Sequence, residues 1–180
     1  MNREDLAHIL RSAAQIAGDN DILIIGSQAI LGSFSEDELP DETYMSIEAD
    51  VAFFDDPGGD KSDMVDGAIG EGSLFQTTHG IYGQGVSVET AVLPAGWRAR
   101  LVPFVRPDAL PSRALCLEPH DLVISKLVAG REKDFIFTGA LLRAGRVSAD
   151  LLRERADELE VLGAIRRRVI DDIGRLQRSS

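Results

Sequence analysis

Four consecutive branched aliphatic residues, Ile22-Leu23-Ile24-Ile25, run straight into Gly26-Ser27. An apolar run this short, introduced by Asp21 and ended by a glycine turn, predicts a buried strand, and a buried strand commits the chain to layers that cover it. The turn leads into a brief helix over residues 28–31, so the unit is strand, turn, helix. Neighbouring segments supply the covering layers. Asn2 is placed to cap a helix over roughly residues 3–17, whose Leu6, Ile9, Leu10, Ala13 and Ile16 follow helical spacing up to Gly18. The acidic stretch 35–43 reads as a solvent loop, residues 46–54 as a second strand, and residues 60–69 as a surface helix closed by Gly70. Glycines crowd residues 80–85, after which 86–93 and 100–105 read as strands separated by the turn Pro94-Ala95-Gly96.

The last third is helical. Pro119 suits the first position of a helix through Leu122, Val123, Lys126 and Leu127; helical character resumes over 136–142 and stops at Gly145, and 148–159 and 161–176 predict two more helices. The expected fold class is α/β (α+β): a core over residues 1–115 with a mixed sheet and flanking helices, and a helical region over residues 116–180 packed on it. A chain of 180 residues with 44% hydrophobic residues can bury such a core without a staple. Cys116 is the only cysteine, which excludes an intramolecular disulfide, and it sits in an apolar stretch where a small buried hydrophobe fits. No apolar run approaches the ~18 residues of a membrane span, and Arg3, Glu4 and Asp5 open the chain, so a cytoplasmic protein with no membrane partner is expected.

The net charge of −11 argues by itself against a polyanionic partner. The average conceals an asymmetry. Residues 1–96 hold 3 Lys or Arg against 18 Asp or Glu, whereas residues 97–180 hold 16 against 12. An acidic half able to hold divalent cations is thus joined to a basic half able to face phosphates, although surplus carboxylates also serve solubility.

Alternate side chains of a strand share a face, so Glu48 and Asp50 of Ile47-Glu48-Ala49-Asp50-Val51 project to one side, with Ile47, Ala49 and Val51 on the other. Adjacent carboxylates repel unless a cation lies between them. Mg²⁺ typically takes one or two carboxylates together with phosphate oxygens and water, so the pair has the chemistry of a metal–nucleotide site; an edge strand exposing its polar face is the plainer alternative. The Gly26-Ser27 turn strengthens the first reading. It opens a helix where free backbone N–H groups favour a phosphate, glycine permits close approach, and serine adds a hydroxyl donor. Lys126 follows Val123 and Ile124, which suits a semi-buried ammonium whose head reaches phosphate or pairs with Asp134. Lys126 and Lys133 share nearly one face if the helix is continuous; Gly130 breaks it if it is not. His8, His79 and His120 lack metal-ligand spacing and read as structural; Trp97 reads as a turn anchor that could also stack on a base, and Arg166-Arg167-Arg168 as a solvated face.

The order Ile25-Gly26-Ser27-Gln28-Ala29, then Glu48-Ala49-Asp50, then Lys126 with Ala129, Arg131, Lys133 and Asp134, resembles the AbiEii-type group of polymerase β-like nucleotidyltransferases, and more closely a little-characterised bacterial branch of it. Glu118-Pro119-His120-Asp121-Leu122 leading into Ser125-Lys126-Leu127 and Gly130-Arg131-Glu132-Lys133-Asp134 is the most specific stretch. The resemblance covers roughly residues 20–143. It implies a polymerase β-type core in which Gly26 and Ser27 hold nucleotide phosphates with Lys126 and Lys133, Glu48 and Asp50 bind Mg²⁺ or Mn²⁺, and Lys126 and Asp134 complete the catalytic site. Two departures stand out. Glu48 occupies a position where the family commonly has Asp, one methylene shorter, and the third carboxylate falls on Glu89 of the expected 86–93 strand, unless Glu89 is an exposed strand residue.

The resemblance implies transfer of a nucleoside monophosphate from an NTP to a hydroxyl acceptor on RNA, protein or a small molecule, as in toxins of toxin–antitoxin pairs acting on tRNA, with an antitoxin as partner. The alternative is a non-catalytic nucleotide-binding or partner-binding module.

Overall fold

The computed structural model describes residues 1–179. Helix α1 (Arg3–Ala17) begins as the sequence predicts: the Asn2 side chain accepts from the Asp5 N–H while the Asp5 carboxylate accepts from the Asn2 N–H. Its Leu6, Ile9, Leu10 and Ala13 are fully buried, and Gly18 at φ 63° ends it in the left-handed conformation. Strand β1 (Ile22–Ile24) is covered on both faces, as an unbroken aliphatic run requires. It is the centre of a five-stranded mixed sheet. β2 (Glu48–Phe53) runs antiparallel to β1 and β5 (Leu115–Cys116) runs parallel to it, while β3 (Tyr82–Gly85) is parallel to β2 and β4 (Val102–Pro103) antiparallel to β5. The architecture is the mixed α/β arrangement of a nucleotidyltransferase-like fold.

The expected strand over 86–93 does not form. The strand lies earlier, in the glycine-rich Tyr82–Gly85, because its backbone must pass close to helix α2 (Asp60–Ile69): a Cβ on Gly85 would stand 1.8 Å from the Ser62 carbonyl oxygen. Past that contact, the Ser87 hydroxyl accepts from the Glu89 N–H and turns the chain into a 3₁₀ turn at Val88–Thr90. The strand expected over 100–105 shrinks to Val102–Pro103, and Leu115–Cys116, legible only as an apolar stretch, is the one that pairs with β1. Helix α3 (Leu74–His79), capped by Ser73, has no strong apolar period and was not expected. The loop 35–43 contains two 3₁₀ turns, Glu36–Glu38 and Asp41–Thr43, and buries Thr43.

Helices α4 (Pro119–Ala129), α5 (Glu132–Arg143), α6 (Ala149–Asp157) and α7 (Gly163–Ser179) complete the chain, and buried residues of α1, the sheet and α4 to α7 belong to one apolar core. Gly130 at φ 68° stops α4, so Lys126 and Lys133 lie on separate helices instead of one continuous face. The stretch Glu118 to Asp121 is a clamp. Glu118 accepts from the His120 and Asp121 N–H groups and from His120 Nδ1, leaving His120 Nε2 to accept from the Ser148 N–H at the start of α6. Asp121, fully buried, receives Arg100 Nε and Nη2 at 2.8 and 3.0 Å and has Arg155 at 3.5 Å. Within the arginine run, Arg167 and Arg168 are exposed, as a solvated face requires, while Arg166, half-buried, donates to the Leu159 carbonyl and Arg168 to that of Val128 in the last turn of α4. Among the described residues no helix is long and apolar enough to cross a membrane.

Candidate functional site

The register of β1 on β2, with Ile24 opposite Val51, carries the chain leaving β1 past the middle of β2. There the Ile25 N–H donates to the Asp50 carbonyl at 3.3 Å. Gly26 follows where the Asp50 side chain folds over the backbone, and a Cβ at this position would stand 1.5 Å from Asp50 Oδ2. Contact, not dihedral angle, demands the glycine, since its φ is −87°. Ser27 then opens the expected brief helix, which is a 3₁₀ helix over Ser27–Gly32. On β2, Ala49 and Val51 are fully buried while Glu48 and Asp50 are half-buried, as the alternation predicts. Ile47, expected with the buried pair, is exposed because it precedes the paired strand.

Gly26, Ser27, Glu48, Asp50, Lys126 and Lys133 line one cleft of about 380 Å³, joined by Ser46, Ser125 and Arg131. Apolar lining comes from Val86, Ala91 and Val92, just after β3, and from Val128 and Ala129 at the end of α4. Burial first, and the Glu48 charge second, push the Asp50 carboxyl above its ordinary range, against the opposing pull of Lys126, Lys133 and Arg131. Glu48 and Asp50, on one face of β2 and lining the same cleft, form a hard-oxygen donor pair of the kind that Mg²⁺ or Mn²⁺ takes together with phosphate oxygens. Among the described residues no group of three or more His, Cys, Asp or Glu is arranged to hold a metal.

Lys126 combines both expectations for it, lining the cleft and pairing with an acid. Its Nζ donates to Ser27 Oγ at 2.8 Å and to Asp134 Oδ1 at 3.3 Å, and stands 4.5 Å from the centroid of the Phe137 ring. Asp134, fully buried, also accepts from Arg131 Nε at 2.8 Å and from the Arg131 N–H at 3.2 Å, which caps α5. Burial works against the Asp134 charge, but the Arg131 hydrogen bond and the Lys126 ammonium prevail and hold its carboxyl below the ordinary range. Burial lowers Lys126 as well, with Asp134 opposing. Asp134 therefore lies behind the cleft, reaching it through Lys126 and Arg131. Lys133 is exposed at the cleft and has no ion-pair partner among the described residues.

Glu89 is not brought to Glu48 and Asp50. With the 86–93 strand replaced by a 3₁₀ turn, it is exposed, its carboxylate takes the Ser87 hydroxyl, and it lines a neighbouring cavity with Asp55, Asp56 and Arg98; Thr90 of the same turn lines the cleft instead. The Ser87 hydrogen bond holds the Glu89 carboxyl low. Trp97 also lies away from the cleft, with the Arg98 guanidinium 4.7 Å over its ring. One neighbour of the site escaped the sequence reading. Tyr82 stands opposite Glu48 in the β2–β3 register, and burial followed by the Glu48 charge pushes its phenol up to about 12. The only signal was its place among glycines, which predicts a turn as readily as an edge strand.

A family model described as "Nucleotidyltransferase of unknown function (DUF6036)" matches residues 4–172. No curated protein and no solved structure matches the chain.

Proposed function

The chain belongs to this nucleotidyltransferase family, whose model spans residues 4–172, and from that premise we propose that the cleft binds a metal-complexed nucleoside triphosphate and moves its nucleoside monophosphate to a hydroxyl acceptor. One observation carries the reading: the Gly26-Ser27 turn, the carboxylates of β2 and the cations of α4 and α5, far apart in sequence, meet in a single cleft. Gly26 makes room for the Asp50 carboxylate beside the turn, Ser27 offers its hydroxyl to a phosphate, and Lys133 and Arg131 supply charge. Glu48 and Asp50 are the residues to hold Mg²⁺ or Mn²⁺. Such an ion neutralises the triphosphate and acidifies the attacking hydroxyl. The acceptor oxygen bonds to the α-phosphorus, its proton passes to water, and pyrophosphate departs. The aliphatic lining of Val86, Ala91, Val92 and Val128 suits the face of a base without selecting one by hydrogen bonds.

The resemblance to the AbiEii-type group extends the proposal to a toxin with an RNA or protein acceptor and an antitoxin partner. The position of Glu89 outside the cleft favours a second reading, a module that binds nucleotide without transferring it. Incubating the protein with each α-labelled NTP, Mg²⁺ or Mn²⁺, and total RNA or protein extract separates the two. Labelled acceptor is the expected result; tight NTP binding with no labelled product supports the binder; absence of NTP binding overturns both.

A further inference from the structure

The Lys126 ammonium carries three hydrogens, and the structure gives each a destination within the protein: Ser27 Oγ at 2.8 Å, Asp134 Oδ1 at 3.3 Å, and the face of Phe137 with its centroid at 4.5 Å. The side chain is 9% exposed, so no further donor is free to reach a ligand. Ser27 is in the complementary state. Its oxygen accepts from Lys126, which leaves its own hydrogen to donate elsewhere, and the residue lines the cleft. A hydroxyl whose lone pair is taken by an ammonium is polarised, and becomes a stronger and better aimed donor toward an anion. Asp134 cannot release the lysine, because Arg131 shares the same carboxylate and caps α5 through it.

We propose that Lys126 is a positioning residue: it acts on the nucleotide phosphates through the Ser27 hydroxyl, which it orients and polarises, while direct cationic contact falls to Lys133 and Arg131. This deepens the nucleotide reading above and rests on it. A lysine that touched phosphate itself would have to leave Ser27, Phe137 and a fully buried carboxylate, exchanging satisfied partners for one.

A double-mutant cycle separates the two arrangements. Binding of inorganic tripolyphosphate and of ATP, each with Mg²⁺, is measured by calorimetry for the unaltered protein, Ser27→Ala, Lys126→Met and the double variant. A relay makes the losses coincide: each single change weakens both ligands by about tenfold or more, and the double variant is no weaker than the worse single one. Ser27→Thr, which keeps the hydroxyl, restores the affinity that Ser27→Ala loses. Losses that multiply in the double variant would show direct contact and overturn the proposal. So would an unchanged affinity in Ser27→Ala, the result for a lysine that only stabilises the fold. If Lys126→Met does not fold because Asp134 loses a partner, Lys126→Met with Asp134→Asn takes its place in the cycle. Failure of the unaltered protein to bind either ligand would overturn the nucleotide reading, and the relay with it.

Discussion

The Asp50 side chain lies directly on the backbone of Gly26, with its Oδ2, Cγ and Cβ within 1.5, 2.5 and 2.9 Å of where a Cβ on residue 26 would be. The glycine of the turn is therefore the floor on which the second carboxylate rests, and one contact joins the Gly26-Ser27 turn to the carboxylates of β2. Gly26→Ala is expected to leave the fold intact at a cost of about 1–3 kcal/mol, typical of overpacking, while displacing Asp50 and abolishing metal-dependent nucleotide binding. Placing Gly26→Ala in an Asp50→Ala background removes the two nearest clashing atoms, so its stability cost should shrink. Equal costs in the two backgrounds, read by urea denaturation, would show that the backbone and not the carboxylate resists the methyl group.

Lys133 and Lys126 should respond differently to salt. Lys133 is exposed and without an ion-pair partner among the described residues, so its pull on phosphate is screened like any surface charge. Lys133→Ala should cost about 1 kcal/mol or less at physiological salt and flatten the salt dependence of nucleotide affinity. Lys126→Met should cost roughly 1.5–3 kcal/mol, the range for a hydrogen bond to a charged group, and leave the salt slope nearly unchanged. Affinity titrations across a series of salt concentrations distinguish the two.

Asp134 ties pH to stability. Its carboxyl is held below the ordinary range by Arg131 and Lys126 despite its burial, so its stabilising contribution is fully present above the ordinary carboxylate pKa and is lost as pH falls through the lower, folded-state value. Acid must protonate the carboxylate to empty both ion pairs. Stability of the unaltered protein should therefore fall on the acid side of about pH 4, and Asp134→Asn, less stable at neutral pH, should show a flatter decline there. Thermal melts from pH 7 to pH 3 on the two proteins make the comparison. Parallel curves would assign the acid sensitivity to other carboxylates.

The parts of the site legible in the sequence were those fixed by local rules. A four-residue aliphatic run can be little but a buried strand, Gly-Ser after it turns the chain, and period two puts Glu48 and Asp50 together; all three hold in the structure. The failures came where long-range contact decides. Residues 86–93 have the composition of a strand, yet the edge of the sheet is already occupied by Tyr82–Gly85, whose glycines are there for the close approach of α2, and Glu89 is carried out of the cleft as a consequence. A Lys126–Asp134 pair is one of two sequence readings of the lysine, but nothing local announces Ser27, ninety-nine residues away in sequence from the lysine, as its third partner. Family resemblance supplied their names, and the structure supplies the geometry that links them.

The most specific stretch of the resemblance reaches the cleft through Ser125, Lys126, Arg131 and Lys133, whereas its opening, Glu118 to Asp121, lines no part of it and acts on it through a neighbouring segment. Asp121 is fully buried and holds Arg100 through two hydrogen bonds; Arg100 also donates to the Ala95 carbonyl, so the chain from Ala95 to Arg100 is pinned to α4 directly after the cleft-lining residues Thr90, Ala91 and Val92. Arg155 approaches Asp121 only to 3.5 Å, with its buried Nε lacking a hydrogen-bond partner. Arg100→Ala leaves a buried carboxylate with one poorly placed cation and should cost about 3–5 kcal/mol, the penalty for breaking a buried pair from one side. Arg155→Ala should cost less, because the bidentate partner remains. Loosening the pinned segment should also raise amide exchange across residues 88–100 and weaken nucleotide affinity in Arg100→Ala, with no change to any cleft-lining side chain. Hydrogen exchange and urea denaturation on both variants decide the point: an Arg155 cost equal to that of Arg100, or exchange in 88–100 unmoved by Arg100→Ala, would mean that the clamp stabilises α4 and α6 alone and has no hold on the wall of the cleft.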